Sequence, residues 1–246
     1  MRVAVLLVVL LLPLVSACPL RAQEPRSAEP LQHGPEHRGH GRGDRATTEH
    51  GFEDVEHWVS VFDDPERDAW QKPGEVVAAL GLRPGDVVAD VGAGTGYFNP
   101  YWSRAVGSGG AVLAVDVEPR LVAHLRDRAE REGTRNVVPI LGSADDPRLP
   151  PGAVDVAVLV NTYHHIDRRR DYFRRFGRFL APGGRLVIVD WRADGEVPVG
   201  PPPEHRLPAE RVAEELGTAG FVPVGGVDFL PYQYIRIFRV GDERGD

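Results

Sequence analysis

Short apolar runs alternate with longer amphipathic stretches along most of the chain. The apolar runs predict strands near residues 86–91, 111–116, 137–141, 154–160 and 185–190, and the amphipathic stretches predict helices near 96–107, 119–132 and 168–180. This alternation is typical of an α/β fold in which a doubly wound, mostly parallel sheet carries helices on both faces. The connections should be right-handed crossovers, as they almost always are between parallel strands.

The last part of the chain departs from this alternation. After a helix near 208–219, two further apolar runs, 221–229 and 232–240, are joined only by Leu230-Pro231. So short a connection leaves no room for a crossover helix, and the two runs should therefore pair as an antiparallel hairpin. Together with the earlier strands, this hairpin predicts a seven-stranded sheet.

Residues 51–83 predict short helices ahead of the sheet. A second short helix starts at Asp63-Asp64-Pro65 and runs through Trp70. These helices either cover the sheet or form a lid over a ligand, with Trp70 and Gln71 reaching the pocket. The first helix is indicated by apolar side chains at helical spacing, namely Phe52, Val55, Trp58, Val59 and Phe62.

A glycine-rich turn follows the first predicted strand of the sheet. Its sequence is Asp90-Val91-Gly92-Ala93-Gly94-Thr95-Gly96. Gly92, Gly94 and Gly96 let the backbone turn sharply and pass close to a ligand, and a helix starting at Gly96 would direct N–H groups at a ligand carboxylate. A dinucleotide fingerprint would need its third glycine at Tyr97, which disfavours a nicotinamide or flavin dinucleotide.

Acidic residues follow the next two strands. Asp116 lies about twenty residues past the glycine turn, where a carboxylate can accept hydrogen bonds from ribose hydroxyls. An aspartate that caps the helix near Pro119 would look the same in isolation. Asp145, which we favour over Asp146, follows the third strand and can accept a hydrogen bond from an exocyclic amine such as that of adenine.

Candidate catalytic residues follow the fourth strand. Tyr163, His164 and His165 stand at the carboxyl end of a central strand, where open α/β sheets bind ligands. A histidine there can act as a general base, although one ring packed in the core and the other exposed is the alternative. Asp190-Trp191 and Glu204-His205 can add polar contacts. No compact carboxylate cluster follows the fourth strand, so we predict no catalytic metal.

Taken in order, these segments resemble class I S-adenosylmethionine-dependent methyltransferases, and the nearest branch contains the quinone-biosynthesis C-methyltransferases. The resemblance covers about residues 70–240 and implies a Rossmann-like fold, with a methyltransferase domain over 84–241. It rests on the glycine turn, on Asp116 and Ala144-Asp145, on the strand 154–160 leading into Asn161-Thr162-Tyr163-His164-His165-Ile166, and on Leu180-Ala181-Pro182-Gly183-Gly184.

The resemblance also implies S-adenosyl-L-methionine as the cofactor and assigns residues to it. The glycine turn would surround the methionyl part, Asp116 would bind the ribose and Asp145 would meet the adenine. Asp90, Ala144 and Asn161 complete the expected cofactor set. Methyl transfer is an in-line displacement, so the protein must align the acceptor, exclude water and sometimes remove a proton. The acceptor is expected to be a small molecule, whose identity the sequence leaves open.

Two other classes of protein are alternatives to a methyltransferase. A nicotinamide-dependent oxidoreductase would share the fold and the ribose acid, but the chain lacks a catalytic Tyr-x-x-x-Lys pair because Lys72 is its only lysine. A non-catalytic exported surface protein is the stronger rival, since S-adenosylmethionine is made inside cells. Nucleic acid is disfavoured as a partner by the formal net charge of −7.

The N-terminal region predicts export. Arg2, the apolar residues 3–15 and the small residues before Cys18 form a signal peptide over 1–17, and Cys18 stands where a bacterial lipoprotein carries its lipid. Ordinary cleavage after Ala17 or Ala22 is the alternative. We therefore expect a periplasmic or cell-envelope protein whose only membrane association is a lipid on Cys18.

Residues 18–50 predict a disordered tether. The segment is rich in Pro, Gly, Arg, Glu and His and lacks the apolar residues that would offset the entropy of ordering. Its histidines, at positions 33, 37, 40 and 50, either bind a transition metal weakly or belong to a solvated linker, and their spacing matches no closed zinc site.

Overall fold

The computed structural model describes residues 51–241, which form one seven-stranded sheet with helices on both faces. The strands lie in the order β3-β2-β1-β4-β5-β7-β6. Strands β1 to β5 are parallel, whereas β7 runs antiparallel to both β5 and β6. The predicted fold class is confirmed. The strands are β1 Val87–Val91, β2 Ala111–Asp116, β3 Val137–Leu141, β4 Val154–Val160, β5 Leu180–Trp191, β6 Phe221–Val227 and β7 Gln233–Val240.

Seven α-helices accompany these strands in the described part of the chain. The first three precede the sheet: α1 Val55–Phe62, α2 Arg67–Gln71 and α3 Pro73–Leu80. The others are α4 Asn99–Val106, α5 Pro119–Glu132, α6 Arg169–Phe176 and α7 Ala209–Thr218. The predicted signal peptide, the tether and Cys18 lie outside the described residues. No helix between residues 51 and 241 is long and apolar enough to cross a membrane.

Helix α3 is an element that the sequence pattern did not predict. It follows α2 after a single residue, Lys72, which has a left-handed backbone with φ of 47°. Pro73 occupies the first turn of α3, where its missing N–H costs nothing and its fixed φ suits a helix. Proline and glycine are typical of loops, so the sequence Lys72-Pro73-Gly74 did not indicate a helix.

Several element boundaries differ from the predicted ones, most clearly at α4, α6 and β5. Helix α4 begins at Asn99 and not at Gly96, because the glycine turn continues through Phe98. Helix α6 ends at Phe176, a 3-10 turn covers Gly177–Phe179, and β5 starts already at Leu180. The connection from β3 to β4 contains no helix and only an isolated bridge between Ser143 and Asp146.

The sheet is buried on both faces, which gives its central strands nearly continuous apolar sequences. Along β5, Leu186 and Ile188 pack with the cluster under α6 and α7, while Val187 and Val189 pack with the cluster under α3 and α4. The strand order reverses between β1 and β4, since β2 and β3 lie on one side of β1 and β4 on the other. In open α/β sheets, ligands bind at the carboxyl ends of the strands at such a reversal.

Candidate cofactor and acceptor site

A cavity of about 460 Å³ lies over the carboxyl ends of the central strands. Its floor comes from the ends of β1, β2, β4 and β5, and its roof comes from α1 and α2 through Trp58, Phe62, Arg67 and Trp70. Phe52, just before α1, also lines it. The N-terminal helices therefore cover the pocket as well as the sheet. Of the two residues expected to reach it, Trp70 lines the pocket and Gln71 does not.

The three glycines of the turn serve different purposes. Gly92 has φ of +77°, and a Cβ there would come within 2.3 Å of the Thr162 side chain. Gly96 has φ of +86°, and its Cβ would come within 2.7 Å of the Leu125 side chain. Gly94 has φ of +58°, and the nearest atom to its Cβ would be a ring carbon of Phe62 at 3.6 Å. Gly92 and Gly96 are thus required by internal packing, whereas Gly94 borders the cavity.

Most of the N–H groups in the turn already have protein acceptors. The N–H groups of Gly92 and Ala93 both donate to the Val115 carbonyl at 2.8 and 2.9 Å. The Gly94 N–H donates to Asp116, and the Gly96 N–H donates to the Ala93 carbonyl. Among the described residues, the N–H groups of Thr95, Tyr97 and Phe98 have no protein acceptor, so donation from the start of α4 to a ligand carboxylate stays a prediction.

Asp116 lies at the end of β2 and lines the cavity beside the glycine turn. Its Oδ2 accepts from the Gly94 N–H at 2.9 Å, and its Oδ1 accepts from the Glu118 N–H at 3.0 Å. Burial raises the pKa of this carboxyl above its usual value, and the backbone hydrogen bonds oppose that shift. The arrangement is suitable for a ribose diol, a role that stays a prediction.

Asp90 is the next-to-last residue of β1 and also lines the cavity. Its Oδ2 accepts from the Trp102 indole N–H at 3.2 Å. Burial raises the pKa of Asp90 to about 7, and the Trp102 hydrogen bond and the charge of Arg67 only partly offset it. The carboxyl is therefore poised to change its charge near neutral pH.

Arg67, on α2, is a cavity residue that the sequence reasoning missed. It donates from Nη1 to the Phe62 carbonyl at 2.8 Å and from Nη2 to Gln71 Oε1 at 3.2 Å. Its Nε is buried and has no hydrogen-bond partner within residues 51–241. Burial lowers its pKa to about 10, which leaves the guanidinium charged at neutral pH. The guanidinium carbon lies 3.9 Å from the Tyr97 ring centroid.

A buried histidine–aspartate pair forms the opposite side of the cavity. His164 Nδ1 lies 2.8 Å from Asp190 Oδ1, and the two side chains are only 2% and 1% exposed. Asp190 is fixed in turn by the backbone N–H of Trp191 at 2.8 Å. Both His164 and His165 line the cavity, and their ring centroids are 4.2 Å apart. Sequence reasoning named Asp190 only as a source of polar contacts.

Tyr163 belongs to the same 3-10 turn, Tyr163–His165, but does not line the cavity. Its hydroxyl donates to Glu215 Oε2 at 3.0 Å on the other side of the turn. Glu215 also accepts from Arg169 at 2.6 Å and from Arg211 at 3.0 Å. Burial raises the pKa of the Tyr163 hydroxyl. The structure therefore gives Tyr163 the role of holding the histidine turn in place and does not bring it to the reacting groups.

Ala144 and Asp145 are not brought to the cavity either. They lie in the connection between β3 and β4, and neither is among the residues that line the pocket. The Asp145 carboxylate is exposed and accepts from the Ser143 hydroxyl at 2.9 Å, which lowers its pKa. Contact between Asp145 and adenine stays a prediction. Glu204 and His205 are likewise outside the lining, which includes Gly200 and Pro201 from the preceding segment.

A set of polar contacts fastens α1 to the glycine turn. Asp63, which ends α1, accepts from the Thr95 hydroxyl at 2.9 Å and from Arg128 Nη1 on α5 at 2.7 Å. Arg128 also donates to the Thr95 carbonyl at 3.0 Å. We call Asp63, Thr95 and Arg128 the α1 latch. Within residues 51–241 there is no group of three or more side chains that could hold a metal ion.

Comparisons with known proteins agree with this fold. Residues 89–188 match a methyltransferase domain family. The chain is 30% identical over 200 residues to the erythromycin 3''-O-methyltransferase of Saccharopolyspora erythraea, over 73% of this chain and 64% of that protein. It is 32% identical over 112 residues to the ubiquinone/menaquinone biosynthesis C-methyltransferase UbiE of Azotobacter vinelandii, over 45% of this chain and 44% of that one. The chain thus spans about half to two thirds of the length of these relatives.

A solved structure extends the likeness to three dimensions. The S-adenosylmethionine-dependent methyltransferase from Aquifex aeolicus superposes with a TM-score of 0.72 and 28% identity, over 76% of this chain and 98% of that one. Fold, family match and relatives together support a class I S-adenosylmethionine-dependent methyltransferase. The resemblance to that class, and to a branch that includes the quinone C-methyltransferases, is supported to this extent.

Proposed function

We propose that this protein transfers a methyl group from S-adenosylmethionine to a hydroxyl group of a small molecule, with His164 as the general base. The observation that carries this proposal is that His164, paired with the buried Asp190, lines the same cavity as a glycine turn with its strand-end acid. A cofactor site alone would be compatible with binding only. The histidine–aspartate pair supplies a group for proton removal.

The residues around the turn fit this cofactor. The Asp116 carboxylate can accept hydrogen bonds from the ribose. Gly94 borders the cavity, so the cofactor can approach the backbone closely there. The unpartnered buried Nε of Arg67 is suited to the carboxylate of the methionyl part, since a buried donor without a partner is costly and an anion would satisfy it. The bound cofactor supplies an electrophilic methyl group on a sulfonium, and all other steps belong to the protein.

His164 removes the proton from the acceptor. Asp190 accepts the hydrogen bond from Nδ1–H and so fixes the tautomer, which makes Nε2 the nitrogen that carries the lone pair. With the cofactor bound, Nε2 would take the proton of the acceptor hydroxyl while the hydroxyl oxygen would receive the methyl group, leaving the cofactor as the neutral thioether. The aromatic roof, including Trp58 and Trp70, excludes water from this reaction.

Calorimetry on the purified protein tests the cofactor part of the proposal. We expect S-adenosylhomocysteine to bind with a measurable heat and NADH to give none. Heat with NADH and none with S-adenosylhomocysteine would instead identify an oxidoreductase. Binding of S-adenosylhomocysteine without methyl transfer to any hydroxylated compound in a broad screen would support a non-catalytic protein.

We also propose that the protein is exported and anchored through Cys18. The proposal rests on Arg2, the apolar residues 3–15 and the small residues that precede the only cysteine of the chain. Mass spectrometry of the host membrane fraction should find Cys18 as a diacylated first residue. A cytoplasmic protein that keeps Met1, or a soluble one that begins after Ala22, would contradict this.

A further inference from the structure

A buried chain of amide side chains connects the roof of the cavity to its floor. Gln71 on α2 donates from Nε2 to Gln233 Oε1 on β7 at 2.8 Å, and Gln233 donates from Nε2 to Asn161 Oδ1 at 2.5 Å. Gln71 and Gln233 are both completely buried. Asn161 directly follows β4, has a left-handed backbone with φ of 55°, and lines the cavity. We call Gln71, Gln233 and Asn161 the amide relay.

Arg67 determines the direction of this relay. A guanidinium can only donate, so the Gln71 atom that faces Arg67 Nη2 at 3.2 Å must be its oxygen. The nitrogen of Gln71 must then face the oxygen of Gln233, and the nitrogen of Gln233 must face the oxygen of Asn161. Each amide orientation follows from the one before it, which is the basis on which amide oxygens and nitrogens are assigned. Asn161 Nδ2 is therefore the end of the relay.

Within residues 51–241, Asn161 Nδ2 has no hydrogen-bond acceptor. Asn161 lines the cavity beside the glycine turn. The next residue, Thr162, packs its side chain against Gly92. We propose that Gln71 and Gln233 are positioning residues, which turn the Asn161 amide so that its N–H donates to the carboxylate of S-adenosylmethionine. The proposal rests on the proposed function.

Two observations favour a carboxylate as the acceptor for this N–H. The N–H groups of Gly92, Ala93, Gly94 and Gly96 are already used within the protein, so the glycines of the turn offer no free donor to a ligand. Among the described residues that line the cavity, Arg67 is the only lysine or arginine. A carboxylate that is removed from water needs several hydrogen-bond donors. The amide relay places the Asn161 N–H in the cavity at one end, and at the other end Gln71 holds the Arg67 guanidinium.

The test compares S-adenosylhomocysteine with its decarboxylated form, which keeps the adenosine, the sulfur and the amine. Gln233→Glu changes one atom and can only accept, so Asn161 must turn its nitrogen toward position 233 and its oxygen toward the cavity. Calorimetry should show S-adenosylhomocysteine binding about ten- to a hundredfold more weakly to this variant. The decarboxylated compound should bind with unchanged affinity.

Two further variants separate orientation from added charge and from misfolding. Gln71→Glu should produce the same selective loss through one more link, but its charge also pairs with Arg67, which we assign to the same carboxylate, so the uncharged variant at position 233 decides between orientation and charge. Gln233→Leu removes the relay without adding charge and should produce a smaller loss that is still selective for the carboxylate. Asn136→Asp is the matched amide-to-acid control, because Asn136 bonds Ser103 and Gly107 and does not line the cavity.

The outcomes are distinguishable. Equal weakening of both compounds in the Gln233 and Gln71 variants would assign these residues a structural role and overturn the inference. Affinities equal to those of the wild type would overturn it as well. If the wild-type protein itself binds neither compound, the proposed function fails, and the inference fails with it for a different reason.

Discussion

The two halves of the cavity are built by different means. On the cofactor side, the glycine turn and Asp116 come from one turn and the next strand end, and the link from Gly94 to Asp116 spans 22 residues. On the acceptor side, His164 is held by a side chain from elsewhere, that of Asp190, 26 residues away. Asn161, which we assign to the cofactor carboxylate, is held in this second way too, by Gln233 at a separation of 72, which is held by Gln71 at a separation of 162.

This difference means that the acceptor side can change without the cofactor side. Backbone conformation and internal packing dictate Gly92 and Gly96, so substitution there damages the turn itself. The acceptor side depends on side-chain identity, and new side chains can alter its chemistry while β1 and β2 stay the same. The relatives agree with this, since one is named as an O-methyltransferase and another as a C-methyltransferase.

The largest effect is expected for His164→Asn, which tests whether the acceptor side can change without the cofactor side. This change should lower kcat by about 10²–10⁴-fold, because a general base acts only in the transition state, and should leave S-adenosylhomocysteine affinity unchanged. Asp190→Asn should lower kcat less, since it keeps the shape but loses the tautomer control. Both are measured by turnover with an acceptor found by screening and by calorimetry.

His165→Asn is the matched control for the adjacent ring. His165 lines the cavity but is not the ring that pairs with Asp190, so we expect a smaller loss of kcat. A larger loss in His165→Asn than in His164→Asn would transfer the role of base to His165. Unchanged turnover in both variants would make the two histidines structural.

On the cofactor side, Asp116→Ala should weaken S-adenosylhomocysteine binding by about 1–3 kcal/mol, because hydrogen bonds to a charged acceptor are lost. Calorimetry measures this directly. Asp145→Ala is the comparison variant, because the Asp145 carboxylate is exposed and does not line the cavity. An equal loss in that variant would place the adenine at the connection between β3 and β4, as the sequence predicts.

The pH dependence of the free energy of unfolding tests the environment of Asp90 on the cofactor side, without any ligand. Its pKa is raised from 3.8 to about 7, so the folded state favours the protonated form, and the stability this gives is lost as pH rises through about 7. Asp90→Asn should match the wild-type free energy of unfolding near pH 4 and exceed it at pH 8, by on the order of a few kcal/mol at most. Urea unfolding at a series of pH values measures this, and parallel profiles would contradict it.

The smallest effect is expected at the α1 latch. Asp63→Ala removes acceptors from Thr95 and Arg128, a loss of about 1 kcal/mol, and should speed S-adenosylhomocysteine dissociation several-fold. Stopped-flow tryptophan fluorescence can follow this, since Trp58 lies in the roof. Arg178→Ala, which breaks the exposed pair with Asp146 remote from the roof, should leave the dissociation rate unchanged.

The same division explains how much the sequence could predict. The sheet, the antiparallel hairpin and the glycine turn follow from local periodicity and from spacing within one βαβ unit. The positions of Asp90 and Asp116 at the cavity follow from strand ends in the same way. Gln71 was placed near the pocket, but its partner Gln233 carries no local signal, because an amide within a strand looks like an ordinary polar residue.

Arg67 and Tyr163 show why the rest could not be predicted. Arg67 looks like one solvated residue of a charged helix, and only the packing of α2 over the cavity buries its Nε. Tyr163 stands beside two histidines in the sequence, yet the 3-10 turn points it toward Glu215 on α7. Both outcomes depend on contacts between elements far apart in the chain.

Helix α1 has no fully buried residue, although it forms much of the roof. Lifting it away together with Phe52 would break the latch and the ring contact between Phe52 and His165, but would leave the two apolar clusters of the sheet intact. Under the proposed function, exchange of the used cofactor would therefore require only local opening at α1, because the two apolar clusters that hold the domain together do not depend on this helix. In an enzyme of this design, the slow step of each cycle is free to be departure of product and not chemistry.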